Sequence, residues 1–227
     1  MESILLLACP AEIESAARQS VLGQYYTIQA VCDLRQPEVV SLVRNAALLV
    51  VHEQAAPREL PQVCAHLRRQ TRRPLIVALG NGDEATSVRI LEAGADDCVS
   101  QPLSAAEWVA RLRAHLRRDQ EYTAAAALAS YEAGDLHLDR ARHEVWVRGQ
   151  LVPLTPREFE LLECLCESAG RAVGRDELLQ RVWCYNSGMS TRTLDVHVGR
   201  LRQKIEQDPR EPTLIITIPG VGYKLAA

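Results

Sequence analysis

Three uncharged aliphatic runs limit what this chain can become. Ser3–Ala8 (SILLLA), Ala47–Val51 (ALLVV) and Pro74–Leu79 (PLIVAL) show no polar alternation. A strand with one wet face alternates, so strands without a polar face are covered on both sides. Between the runs lie stretches of helical length, which points to parallel strands joined by helical crossovers. Helices are expected over Glu12–Leu22, Gln36–Arg44, Ala56–Arg69, Asp83–Ala93 and Ala105–Arg118, with further strands at Tyr26–Val31 and Asp97–Ser100. Five βα units over residues 1–118 predict an α/β, flavodoxin-like doubly wound (βα)5 domain. Its functional crevice lies at the C-terminal ends of the strands.

The pattern changes after an Ala-rich linker, residues 119–130 (DQEYTAAAALAS). Short alternating strands follow at Asp135–Asp139, Glu144–Arg148 and Leu151–Leu154, around an Arg148-Gly149-Gln150 turn. Thr155-Pro156-Arg157-Glu158 is a helix start: a hydroxyl N-cap, proline at the first helical position, glutamate at the third. Phe159, Leu161, Leu162, Leu165 and Cys166 form its expected buried side, and Gly170 ends it. A second helix is expected at Asp176–Trp183, a loop at Cys184–Ser190, and a hairpin within Thr213–Ala227. Residues 131–227 therefore predict an α+β winged helix-turn-helix.

Between that loop and that hairpin, Leu194, Val198, Leu201 and Ile205 recur as one buried stripe of a helix over Ser190–Ile205. The opposite side is assigned Arg192, Thr193, Val196, His197, Arg200 and Gln203, with Arg202 and Lys204 on the flanks. Such a helix is either an ordinary solvated amphipathic helix or one laid into a DNA major groove, with guanidiniums on phosphates and guanine edges. Charge alone does not decide between them. Residues 1–118 carry 13 acidic and 13 basic side chains, net 0; residues 131–227 carry 14 and 13, net −1. Any attraction to nucleic acid is a local patch, and salt weakens it steeply.

Seven cysteines, with no CxxC pair, read as buried reduced thiols rather than a metal or disulfide framework. There is no signal peptide and no apolar run of membrane-spanning length, which predicts a cytoplasmic protein with no membrane contact. No nucleophile–base constellation or phosphate-cradling glycine loop marks an enzyme, and no cofactor or metal is expected.

Two motif sets carry a family resemblance. Leu91–Asp97 (LEAGADD) followed by Cys98–Leu103 (CVSQPL) resembles the fifth-strand segment of response-regulator receiver domains (CheY-like). LTPREFELLECL, LLQRVW, TRTLDVHVGRLRQKI and IPGVGYKL resemble the OmpR/PhoB winged-helix effector domain over its whole length. The chain thus looks like an OmpR/PhoB-type response regulator, a transcription factor whose partner is double-stranded promoter DNA. The resemblance implies phosphate contacts from Trp183, Arg192, Arg202 and Tyr223, and base or groove-wall contacts from Val196, His197 and Arg200, with Thr193 and Lys204 on the same surface. It also implies that the 184–190 loop touches RNA polymerase. Gly199 and Pro219 stand where relatives carry cations, so each half-site should bind less tightly.

The receiver departs from the resemblance where phosphorylation needs it most. Ala8, Cys9 and Pro10 replace an acidic pair, and His52 occupies the phosphoacceptor position. Leu79 replaces a hydroxyl, Gln101 a lysine, and Cys98 an aromatic switch residue. Glu12, Glu14 and Glu53 do not rebuild a hard-cation site. The expectation is an atypical receiver that takes no aspartyl phosphate and holds no metal. The same resemblance implies homodimerisation through the receiver's fourth helix, fifth strand and fifth helix, using Val88, Arg89, Leu91, Asp96, Asp97, Glu107, Ala110, Arg111 and Arg118. Ser87 stands where a basic partner for the glutamate is usual, leaving Arg89 as a substitute. The alternatives are an adaptor whose receiver binds a protein or small molecule, and a redox switch acting through Cys9 or Cys98.

Overall fold

The computed structural model describes residues 2–20, 22–56, 59–80, 83–100, 104–125, 130–183 and 192–226, and for 117–125 the backbone alone. The chain divides into two compact units, Met1–Arg117 and Arg118–Ala227.

The first unit runs β1 (Ser3–Leu7), α1 (Ala11–Gln19), α2 (Leu22–Tyr25), β2 (Thr27–Val31), α3 (Glu38–Asn45), β3 (Ala46–His52), α4 (Leu60–Gln70), β4 (Leu75–Leu79), α5 (Glu84–Glu92), β5 (Asp97–Ser100) and the first part of α6 (Ala105–Ala125). All strands are parallel in the order β2-β1-β3-β4-β5, the flavodoxin-like arrangement. The aliphatic runs sit at its centre: every residue of β3 and β4 is buried. The helix expected over 12–22 divides in two. Ser20 ends α1 by donating its hydroxyl to the Ala17 carbonyl at 2.7 Å and accepting from Leu22 N at 3.1 Å. The helix expected from 56 begins at Leu60, because His52 instead caps a 3₁₀ turn, Glu53–Ala55. At its far end α6 continues to Ala125, past the expected end at 118.

The second unit runs β6 (Ser130–Ala133), β7 (Leu136–Asp139), β8 (Glu144–Val147), β9 (Gln150–Val152), α7 (Pro156–Cys166), β10 (Val173–Gly174), α8 (Arg175–Trp183), α9 (Arg192–Ile205), β11 (Ile215–Ile218) and β12 (Gly222–Leu225). An antiparallel sheet β6-β7-β8-β9 precedes the three helices, and β10-β12-β11 closes the unit as a wing. The short strands β6 and β10 were not foreseen. β10 pairs two residues with β12, and a Cβ at Gly222 would lie 2.1 Å from the Val173 carbonyl oxygen, so glycine permits that pairing.

The capping box at Thr155 and Glu158 is formed. α7 has no wet side: every residue from Arg157 to Cys166 is buried, not merely the apolar face expected. It packs against α8, α9, β6 and β12. Its charges are satisfied inside the fold. Arg157 reaches Glu160 and the Val182 carbonyl, both at 2.5 Å, Arg140 pairs with Glu163, and Lys204 reaches Glu158 at 2.6 Å.

Candidate nucleic-acid interface

α9 is seated by Leu194, Val198, Leu201 and Ile205, each at most 1% exposed. At 3.6 residues per turn, Arg192, Val196, Gly199 and Gln203 fall directly opposite. Arg192 and Gln203 are exposed, and Val196 and Gly199 half-buried. This open edge is narrower than the sequence suggested. Thr193 and His197 were expected on it, yet both are buried, His197 completely. They lie on the flank that turns into the core. The His197 ring Nδ1 is 2.8 Å from the Thr193 carbonyl oxygen, and the ring meets Trp183 edge-on at 5.0 Å between centroids. Trp183 is 2% exposed. Neither ring is placed at the surface to meet bases or phosphate; a Leu stripe marks only the middle of a buried arc that these two rings widen.

The cations beside the edge are held by the protein. Arg200 Nε lies 3.2 Å from Glu158 Oε1, and its side chain is only 12% exposed. One turn on, Lys204 binds Glu158 Oε2 and the Pro153 carbonyl at 3.1 Å. On the other flank Arg202 donates to the Ile215 carbonyl at 2.6 Å and to Thr217 Oγ1 at 2.8 Å. Glu206 then accepts from the backbone N–H groups of Thr213, Leu214 and Ile215 at 2.8–3.1 Å. These contacts tie the end of α9 to the start of the wing.

Tyr223, expected to touch the DNA backbone, is buried and gives its hydroxyl proton to Asp195 Oδ1 at 2.6 Å. Burial and then that hydrogen bond hold its phenol above the ordinary range. Arg175 pairs with the same Asp195, and Arg175 and Arg202 both lie over the Tyr223 ring, 5.5 and 5.8 Å from its centre. Arg175 and Glu206 were not singled out from the sequence, and Glu158 only as part of a helix start. Their partners lie up to 48 positions away, and no local pattern announces them. Residues 184–190, expected to meet RNA polymerase, lie outside the described residues, as do Cys184 and Gln101.

At the strand ends of the receiver-like unit, His52 is 3% exposed and accepts from Gln54 N through Nδ1 at 3.3 Å. Desolvation holds its imidazole below the usual 6.5, with Glu53 opposing more weakly. Ala8 takes a left-handed φ of 52° and gives its N–H to the Val31 carbonyl at 2.7 Å. The Cys9 thiol points at the Leu7 and Val50 carbonyls, and burial pushes its pKa to about 12. Leu79 is buried. A protonated thiol, a neutral imidazole and two aliphatic side chains do not fit a hard divalent cation, which takes oxygen ligands. Burial pushes Cys98 to about 12 as well, so neither thiol expected of a redox switch is a ready thiolate.

The expected dimer surface is reduced. Arg89, Glu107 and Ala110 are exposed, and Val88 and Arg111 half-buried. Arg111 pairs with Glu107 of its own helix at 3.2 Å. Leu91, Asp96 and Asp97 are buried and belong to the interior. Asp96 binds Arg68 and accepts from Leu75 N at 2.9 Å; Asp97 accepts from Cys98 N at 2.8 Å and faces His115 at 3.2 Å. Two carboxylates spent on internal partners are not available to a second copy. The side chain of Arg118 lies outside the described residues.

A doubly wound α/β unit followed by a winged helix defines a two-domain response regulator. The family model described as "Transcriptional regulatory protein, C terminal" matches residues 149–225. The chain is 44% identical over 164 residues to the sensory transduction protein RegX3 of Mycolicibacterium smegmatis, covering 72% of each. It is 40% identical over 162 residues to the DNA-binding response regulator MtrA of the same organism, covering 71% of this chain and 69% of that one. A cysteine-to-aspartate mutant of RitR has the same fold over 99% of both chains, with a TM-score of 0.72 at 21% identity. The chain belongs to the OmpR/PhoB-type response regulators.

Proposed function

We propose that this chain is a transcriptional regulator that binds duplex DNA through residues 131–227, with α9 in the major groove, and that its receiver, residues 1–118, acts without aspartyl phosphorylation. The observation that carries the reading is the open edge of α9, Arg192-Val196-Gly199-Gln203, held rigid between α7 and the wing. A helix seated by its neighbours, with Arg192 and Gln203 exposed along one edge, is suited to groove insertion. Arg192 and Arg202 supply phosphate contacts in this reading, and Val196 and Arg200 face the bases. Lys204 adds positive charge. The similarity to MtrA, a DNA-binding response regulator, agrees with it.

Phosphorylation independence rests on the strand ends. His52, Cys9, Ala8 and Leu79 offer neither a carboxylate nucleophile nor a cation cage. Pairing of two copies through Val88, Arg89, Glu107, Ala110 and Arg111 would place two reading helices on tandem half-sites about one helical turn apart. Loop 184–190 is the proposed contact for RNA polymerase.

The test is selection from a random duplex pool with untreated protein. A single enriched motif repeated at about 10–11 base pairs is expected. Enrichment should be the same after incubation with acetyl phosphate and Mg²⁺, with no phosphoryl mass gained. Failure to enrich any motif sinks the DNA reading; a phosphoryl adduct on the receiver sinks the other half.

A further inference from the structure

We propose that Asp195 is a positioning residue for DNA binding: from the first turn of α9 its carboxylate holds the Tyr223 hydroxyl and Arg175, and so sets the angle between the wing and the open edge. The inference rests on the DNA-binding reading and specifies what aligns its two contacting elements.

The wing is tied to α9 at two places. Towards the C-terminal end of the helix, Glu206 accepts from the N–H groups of Thr213, Leu214 and Ile215, and Arg202 donates to the Ile215 carbonyl. These bonds grip the start of β11. Asp195 lies about two turns, or about 10 Å, back along the axis from Arg202. Its Oδ1 accepts from the Tyr223 hydroxyl of β12 at 2.6 Å and pairs with Arg175, the first residue of α8. Arg175 in turn lies over the Tyr223 ring, donates to its hydroxyl at 3.4 Å, and gives its backbone N–H to the Val221 carbonyl at 3.2 Å. Pairing of β10 with β12 ties the wing to the segment before α8. Asp195 carries that tie across to the helix with the open edge. A wing gripped at one end of α9 can pivot; a second grip two turns away fixes its direction. Tyr223 in this arrangement acts through Asp195 rather than on a phosphate.

The charge makes the role separable from simpler ones. A carboxylate at the start of a helix that enters a groove lined by phosphates repels the duplex, so neutralising an idle one strengthens binding to any sequence. The helix dipole favours an acid in the first turn, but that concerns stability alone. A positioning carboxylate acts in the opposite sense on the preferred duplex. Without it the wing loses its alignment with α9, and the freedom gained must be given up again on binding. Non-specific binding needs charge but not that alignment. The two duplexes should therefore respond with opposite signs, which neither a surface charge nor a stability role produces.

The experiment uses the full chain, the duplex enriched by the wild type and a scrambled duplex of equal length, at a temperature below the unfolding transition of every variant. Asp195→Ala should weaken binding to the enriched duplex about tenfold and tighten binding to the scrambled one about threefold. Asp195→Asn, which keeps an acceptor for the Tyr223 hydroxyl, should recover part of the loss. Tyr223→Phe keeps the ring and every charge; it should weaken the enriched duplex about fivefold and leave the scrambled one unchanged. The double variant should bind the enriched duplex no more weakly than Asp195→Ala, because both changes act through one bond. In Asp195→Ala the Arg175 amide should exchange with water faster, while that of Ile215, still gripped by Glu206, stays protected. Tightening on both duplexes in Asp195→Ala, or a lowered melting temperature with both affinities unchanged, overturns the proposal. So does Tyr223→Phe binding the enriched duplex as tightly as the wild type, which decides the matter if the alanine variant does not fold. A wild-type chain that enriches no duplex overturns the DNA reading beneath it instead.

Discussion

His52 and Arg68 show how single side chains set conditions on the receiver. His52 is buried at the end of β3, and desolvation favours its neutral form. Its folded pKa lies below the 6.5 of the unfolded chain, so the folded state binds fewer protons as pH falls through that value. The stability owed to neutral His52 is complete above pH 6.5 and is lost as pH falls from there towards the folded pKa. In His52→Asn, urea midpoints for the first unit should fall less between pH 7 and pH 5.5 than in the wild type; parallel curves would refute this. Arg68 ties the end of α4 to the turn before β5. It donates to the carbonyls of Gly94 at 2.8 Å, Arg73 at 3.0 Å and Thr71 at 3.3 Å, and pairs with fully buried Asp96. Arg68→Ala removes a counter-ion from that buried carboxylate, which costs about 3–5 kcal/mol. Arg68→Ala with Asp96→Asn should recover part of the loss in chemical denaturation.

Elements, rather than residues, decide how α9 meets its target. Gly199 sits mid-helix on the open edge, and a Cβ there would meet nothing within 4 Å among the described residues. Gly199→Ala should therefore stabilise the second unit by about 1 kcal/mol. Gly199→Arg should steepen the salt dependence of DNA binding by about 0.9 in slope. A loss of stability in the alanine variant would mean that the helix needs its glycine. Gly222 is the opposite case. Its missing side chain lets β12 lie against Val173, so Gly222→Ala should detach β10 and lower both thermal stability and DNA affinity. The repeating elements were readable in the sequence because periodicity reports burial directly. Leu194, Val198, Leu201 and Ile205 gave the seat of α9, and the uncharged runs gave β1, β3 and β4. The placements that failed depend on partners distant in sequence. His197 and Thr193 look polar but are buried, His197 against Trp183, and Asp96 and Asp97 look like surface charges but answer Arg68 and His115. Glu158 announced itself as a cap; nothing nearby in the sequence revealed the two cations it also holds.

At the scale of the whole molecule, each of the two units buries apolar residues of its own. One is built on the parallel sheet and includes Trp108; the other surrounds α7 and includes Trp183. Each is large enough to fold cooperatively. Residues 131–227 expressed alone should unfold in one transition and still enrich the same half-site. The proposed pairing of receivers predicts that the affinity of residues 131–227 for the tandem duplex is about 100-fold weaker than the full chain's. Equal affinity would remove the receiver from the binding reaction. One contact also makes the event visible. Trp183 abuts His197 at the base of α9, so any shift of that helix along its seat changes the surroundings of the indole. With Trp108 and Trp146 replaced by phenylalanine, the native emission of the unlabelled chain becomes a gauge of helix seating, read at nanomolar protein as DNA is titrated in.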